Sequence, residues 1–283
     1  MFKTFSGVGI VLFGLTLSPI VVAEDNATKY SANDNHKKGS FYAHWGWNRS
    51  YYSDSDIHFK GDDYNFTLKG ASASDRPSEV GFDPYLHPLE LTTPQTNFKI
   101  GYFFTDNYSV TFGFDHMKYI MDQYQTAIID GYIDSGSEHD GTYDDEAISL
   151  NQYDSDGNPT LLEFEHSDGL NYINVEINNF DNLYSFTSNL KLSRIFGAGI
   201  GLMIPRTNAT LLENARHDDF HISGWGSHIK AGLELSYTKY FMRSEVKTGY
   251  INMQDIRTTA SSSDVASQYF TFTEVNLVFG RYF

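Results

Sequence analysis

The chain has no cysteine among its 283 residues, so neither a disulfide nor a lipid-modified cysteine anchor is open to it. Beyond residue 23 it also lacks any apolar run long enough to cross a membrane as a helix. Cations are scarce, with 20 Lys and Arg against 36 Asp and Glu and a formal net charge of -16. No Gly-rich phosphate loop, metal-binding Cys set or basic nucleic-acid patch is present. The stretch 122–168 has no Lys or Arg at all, yet it holds thirteen acidic residues. A disulfide scaffold, a nucleic-acid binder and any membrane helix beyond residue 23 are thereby excluded, and a retained helix over Thr4 to Ala23 is the alternative to a cleaved signal.

What remains begins with "MFKTFSGVGIVLFGLTLSPIVVA": one lysine, an uncharged apolar run, then Val21 and Ala23 at the small-residue positions of a signal-peptidase site. This predicts an export signal over 1–23, a short periplasmic segment over 24–39, and one folded unit over 40–283. A chain of this kind is rich in the residues that make sheets, with 22 Phe and 20 Tyr.

The sheet is written as period-two alternation. In "TNFKIGYFFT" Phe98, Ile100, Tyr102 and Phe104 share a face opposite Lys99, and in "YSVTFGFDHMKYIM" Val110, Phe112 and Phe114 oppose Asp115. "FMRSEVKTGY" sets Arg243, Glu245 and Lys247 against Met242, Val246 and Tyr250, and "GWGSHIKAGLELSY" sets His228, Lys230 and Glu234 against Trp225, Ile229, Leu233 and Leu235. One face of each strand is apolar and the other carries both signs of charge. A soluble sandwich and an inverted membrane barrel both fit that pattern. The last strand separates them: "VNLVFGRYF" alternates apolar residues up to a terminal Phe283.

That ending resembles the C-terminal recognition strand of bacterial outer-membrane barrels, which have an apolar outer band and a polar interior. The expected fold is therefore all-β, a transmembrane antiparallel up-and-down β-barrel of eight strands, near 40–51, 95–105, 108–121, 169–181, 194–208, 221–237, 240–254 and 268–283. Ten strands are the alternative, because "DIHFKGDDYNFTL" and "AISLNQYDSDGNPTLLEF" can extend the sheet into or above the membrane. Long extracellular loops are expected at about 52–94 and 122–168. An eight-stranded barrel has room inside only for side chains. His44, Asn48 and the mixed charges are expected to fill it, with Gly197, Gly199 and Gly201 making space for larger neighbours.

In overall build the chain resembles the small outer-membrane barrels of the OmpA transmembrane-domain, OmpW and PagL type. The stretches "HWGWNRSYYSDSDIHFKGDDYNFTL", "FGFDHMKYIMDQYQT" and "EFEHSDGLNY" are similar to a group of uncharacterised outer-membrane barrel proteins. The resemblance implies a bacterial outer-membrane location, assembly through the C-terminal strand, contact with outer-membrane lipid and lipopolysaccharide, and a monomer. It implies no activity. The leading expectation is thus a non-enzymatic barrel with a filled lumen and an acidic extracellular surface for envelope integrity or ligand and partner interaction. A lipid A-modifying hydrolase and a narrow small-solute channel are the alternatives.

Three stretches invite chemistry. "HIS" at His221 to Ser223 resembles the His-x-Ser pair of PagL-type deacylases, but Glu234 lies eleven residues along, roughly 36 Å away in an extended strand. "DSDGNPTLLEFE" has oxygen side chains at the first, third, fifth and twelfth positions of a calcium loop, with Pro159 where the turn glycine belongs. Asp154, Asp156 and Glu165 are therefore the candidate metal ligands, for weakly held calcium or magnesium, with no other cofactor expected. His116, Glu165, His166 and Asp168 form a third candidate set near the extracellular strand ends.

Overall fold

The computed structural model describes residues 34–78 and 95–283. The expected signal segment, residues 24–33 and residues 79–94 lie outside the described residues. Past a short 3-10 turn at Asp34–His36, the strands in chain order are β1 (Phe41–Tyr52), β2 (Ser55–Lys60), β3 (Tyr64–Ala71), β4 (Ala73–Ser74), β5 (Thr96–Thr105), β6 (Tyr108–Met121), β7 (Thr126–Ile133) and β8 (Gly141–Ser149). There follow β9 (Leu162–Ser185), β10 (Leu190–Met203), β11 (Arg206–Leu211), β12 (His217–Phe220), β13 (Gly224–Tyr237), β14 (Tyr240–Arg257) and β15 (Val265–Tyr282).

Eight of these strands close a ring in the order β1-β5-β6-β9-β10-β13-β14-β15, and β15 pairs back onto β1. All ring pairings are antiparallel. The eight-stranded expectation holds. The two stretches that suggested ten strands do extend the sheet but add no strand to the ring: the first forms β2 and β3, the second the end of β8 and the top of β9, and β2, β3, β7 and β8 continue the sheet outward from the upper end of β15.

The strands keep their period while the chemistry of their two faces reverses. On β14, Arg243, Glu245 and Lys247 are buried inside the ring while Met242 and Val246 are exposed outside. Higher on the same strand Ile251 and Met253 are the buried residues, and Asn252 and Gln254 face outward. The same change occurs along β9, where Asn174 and Glu176 give way to Leu170, Phe164 and Leu162 on the buried side. Hydrocarbon outside demands the first arrangement and water outside the second. Each reversal therefore marks where a strand leaves the membrane.

Above that level the apolar insides form one core. Phe59 of β2 stacks on Phe66 of β3 at 5.1 Å and meets Phe164 of β9 edge-on at 5.7 Å. Leu68, Ile129, Leu162 and Leu211 complete it, each with no exposed surface. The expected long loop at 122–168 is thus partly strand, with β7, β8 and the top of β9 inside it.

Candidate functional site

The lumen is built in layers, starting at the periplasmic turns. Tyr42, Phe103, Phe180, Ile195, Phe241 and Tyr282 form an apolar cluster there. Into it points Arg243, whose guanidinium lies 4.1 Å from the Phe241 ring centre, 4.6 Å from Tyr42 and 5.0 Å from Phe180. Its Nε donates to Glu234 Oε2 at 2.7 Å. A cation packed against three aromatic faces and one carboxylate is compensated by both quadrupole and charge. His36, from the segment before β1, folds into the same layer, with Nε2 3.0 Å from Glu234 Oε1 and its ring stacked on Phe103.

The middle layer is ionic and centred on Glu176. Lys99 contacts Glu176 Oε1 and donates to Asn174 Oδ1 at 2.8 Å. Lys230 lies 2.8 Å from Glu176 Oε2 and 3.2 Å from Glu245. Lys247 bridges Asp115 at 2.6 Å and Glu274 at 3.0 Å. His228 joins the layer through Nε2, 3.0 Å from Glu176, and Nδ1, 2.9 Å from the Tyr172 hydroxyl. These side chains converge because β10 presents glycines opposite them: a Cβ on Gly199 would fall 2.6 Å from His228 and 2.9 Å from Glu176. Gly197 leaves space in the same way for Lys230 and Asn178. The predicted lumen residues His44 and Asn48 are also buried, and Asn48 Nδ2 donates to the His116 carbonyl at 3.3 Å.

Among the described residues, the wall leaves a gap on one side where β5 begins at Thr96 while its neighbour β1 runs on to Tyr52. The amides left over are met by other groups. Asn48 N donates to the Gln95 carbonyl at 3.3 Å, and Ser50 N donates to Asp75 Oδ2 at 3.0 Å. Asp75 also accepts from Gln95 Nε2. Burial in the gap pushes the Asp75 carboxyl above its ordinary value, against the opposing pull of the Ser50 amide.

The candidate metal ligands take separate roles. Asp154 accepts from the amides of Asp156 and Asn158 at 2.8 Å each, which closes a tight turn at the loop tip. The Asn158 side-chain amide, which donates to Oδ2 at 2.9 Å, together with these backbone bonds holds its carboxyl below the usual range. Glu165 accepts from Ser167 and Asn208, and Asp156 contributes its backbone amide to the turn. Among the described residues, no group of three or more His, Cys, Asp and Glu could hold an ion.

The third candidate set is divided by the wall. His166 points inward, fully buried, and bonds Thr207 Oγ1 at 2.9 Å. His116 follows Phe112 and Phe114 on the other face and bonds Asn171 at 2.8 Å. Asp168 pairs with Arg206 at 3.6 Å. In the "HIS" stretch, His221 Nε2 lies 2.9 Å from Asp255, while Ser223 is buried and directs its hydroxyl to the His221 carbonyl at 3.4 Å. A nucleophile must be bonded to its base, and this one is bonded to backbone. His36 was not legible in the sequence: it lies outside every alternating segment, and no spacing relates it to Glu234.

No protein-family model matches the chain, and no curated protein matches it. Among solved structures it is similar to the outer membrane protein OprG from Pseudomonas aeruginosa, at 13% identity and TM-score 0.36, over 88% of this chain and 97% of that one. It is also similar to Ail, the attachment invasion locus protein of Yersinia pestis, at 12% identity and TM-score 0.34, over 87% and 100% of the two chains. Neisserial surface protein A is a third, at 10% identity and TM-score 0.31, over 84% and 99%.

Proposed function

We propose that this chain is a non-enzymatic barrel of the bacterial outer membrane that is closed to solutes and works through its outer surface, in envelope integrity or in contact with outer-leaflet lipid. The observation that carries this reading is the continuous filling of the ring: aromatic floor, ionic middle layer and apolar top, all of buried side chains. A channel needs a connected aqueous path, and each layer here is occupied by buried side chains. The acidic stretch 122–168 faces outward, where it meets the anionic surface of the outer leaflet, and weak screening by calcium or magnesium at Asp154, Asp156 and Glu165 belongs to the same reading.

A strain lacking the protein should become more permeable to detergent and large antibiotics, and the wild-type gene should restore the barrier. Purified protein incubated with radiolabelled lipopolysaccharide should release no acyl chain. Acyl release abolished by His221→Ala would instead establish the hydrolase reading.

A further inference from the structure

At the upper edge of its lipid-facing run, each strand presents a boundary residue. On β13, β14 and β15 these are Trp225, Tyr250 and Tyr269, a chain of rings with centres 5.9 and 6.2 Å apart. Aromatic residues with a polar handle are what a membrane interface favours. On β6 the boundary is different: the outward series Phe112, Phe114 is followed by His116 and Lys118. Beside it β9 carries two extra residues between its pairings to Met117 and Tyr119. Gly169 sits in this bulge at φ 135, where an added Cβ would fall 2.8 Å from His116.

The bulge and the β11–β12 hairpin leave a lateral groove of about 560 Å³, lined by Phe114, Lys118, Ser167, Asn171, Arg206 and Phe220 among others. Arg206 already has its counter-charge: its Nε lies 2.8 Å from Asp218 and its guanidinium 5.8 Å from the Phe220 ring centre. Lys118 does not. Half-buried in the groove, its ammonium makes no hydrogen bond or ion pair among the described residues, although Asp168 lines the same groove and Asp75 and Glu165 act on it from a distance. A half-buried cation with no direct counter-charge among the described residues favours an anionic ligand.

We propose that this groove binds the phosphorylated headgroup of an outer-leaflet glycolipid. The phosphate pairs with the Lys118 ammonium, the remaining lone pairs of Ser167 Oγ and Asn171 Oδ1 accept from sugar hydroxyls, and the first acyl carbons lie along Phe114. The source is a lipid and not free phosphate because the groove opens sideways, directly above the lipid-facing Phe112 and Phe114. This rests on the reading that the barrel works through its outer surface, and it adds the place and the headgroup chemistry.

The test uses the full chain purified in detergent and mixed with bis-phosphorylated or dephosphorylated lipid A, with bound lipid counted by native mass spectrometry. Wild type should retain the phosphorylated form about tenfold over the other. Lys118→Ala should lose that preference, Lys118→Arg should keep it, and Lys69→Ala, distant from the groove, should match wild type. Fifty-millimolar inorganic phosphate should not displace the lipid. Equal retention of the two lipid forms by wild type, an unchanged preference in a folded Lys118→Ala barrel, or displacement by inorganic phosphate would each overturn the proposal. The permeability assay is scored apart: a leaky deletion strain together with no lipid preference removes the groove and leaves the broader function standing.

Discussion

The inner wall makes single residues expensive to change. Glu234 is shared by Arg243, His36 and Tyr282, all buried. Glu234→Ala leaves the guanidinium without its carboxylate, at a cost of about 3 to 5 kcal/mol for a dry site. Loss of the folded, slow-unfolding band on heat-modifiability gels should report it. Asp75 gives the opposite kind of prediction, one of sign. Its folded-state value lies above the ordinary 3.8, so the native chain holds the proton more tightly than the unfolded chain does. Stability contributed at this site therefore rises as pH falls through the raised value, and levels off below about 3.8. Measured against Asp75→Asn, which cannot titrate, wild type should gain in denaturant midpoint between pH 7 and pH 4. A wild-type midpoint that falls relative to the variant would contradict the assignment.

Among the elements, the ring strands were legible because hydrocarbon on one side and packed charge on the other impose a strict period of two. Arg243, Glu245 and Lys247 on β14 could be assigned to one face from their spacing alone. The extracellular strands were harder to see. Along β8 every residue is exposed or only half-buried, so no face is written into Gly141–Ser149. Higher on β14, the rule that put charge inside now puts Ile251 and Met253 inside. His116 and His166 were grouped because both lie near the extracellular ends of neighbouring strands, yet parity with Phe114 on one strand and with Glu176 on the other sends them to opposite faces. The upper core should be separable from the ring: Phe59→Ala removes a ring packed on Phe66 and Phe164, at about 3 to 5 kcal/mol. Protease should then cut within 55–74 and 126–149 while the ring fragment persists. In wild type, millimolar calcium should slow cleavage within 122–168, and equal rates with and without calcium would make that acidic stretch a plain solvated surface.

At the level of the whole molecule, one continuous sheet meets hydrocarbon, headgroups and water in succession, and the side chains inside it change to match. In the membrane the interior is ionic, and four buried carboxylates, Asp115, Glu176, Glu245 and Glu274, face Lys99, Lys230 and Lys247 with His228 beside them. Such a network holds together as a unit, since removing any one cation strands its partners in a site away from water. Closure is the central claim, and planar-bilayer recording of the purified full chain tests it most directly. Wild type should give no stable current steps of porin size at any holding voltage. Stable, reproducible porin-size steps from wild type would contradict a filled lumen.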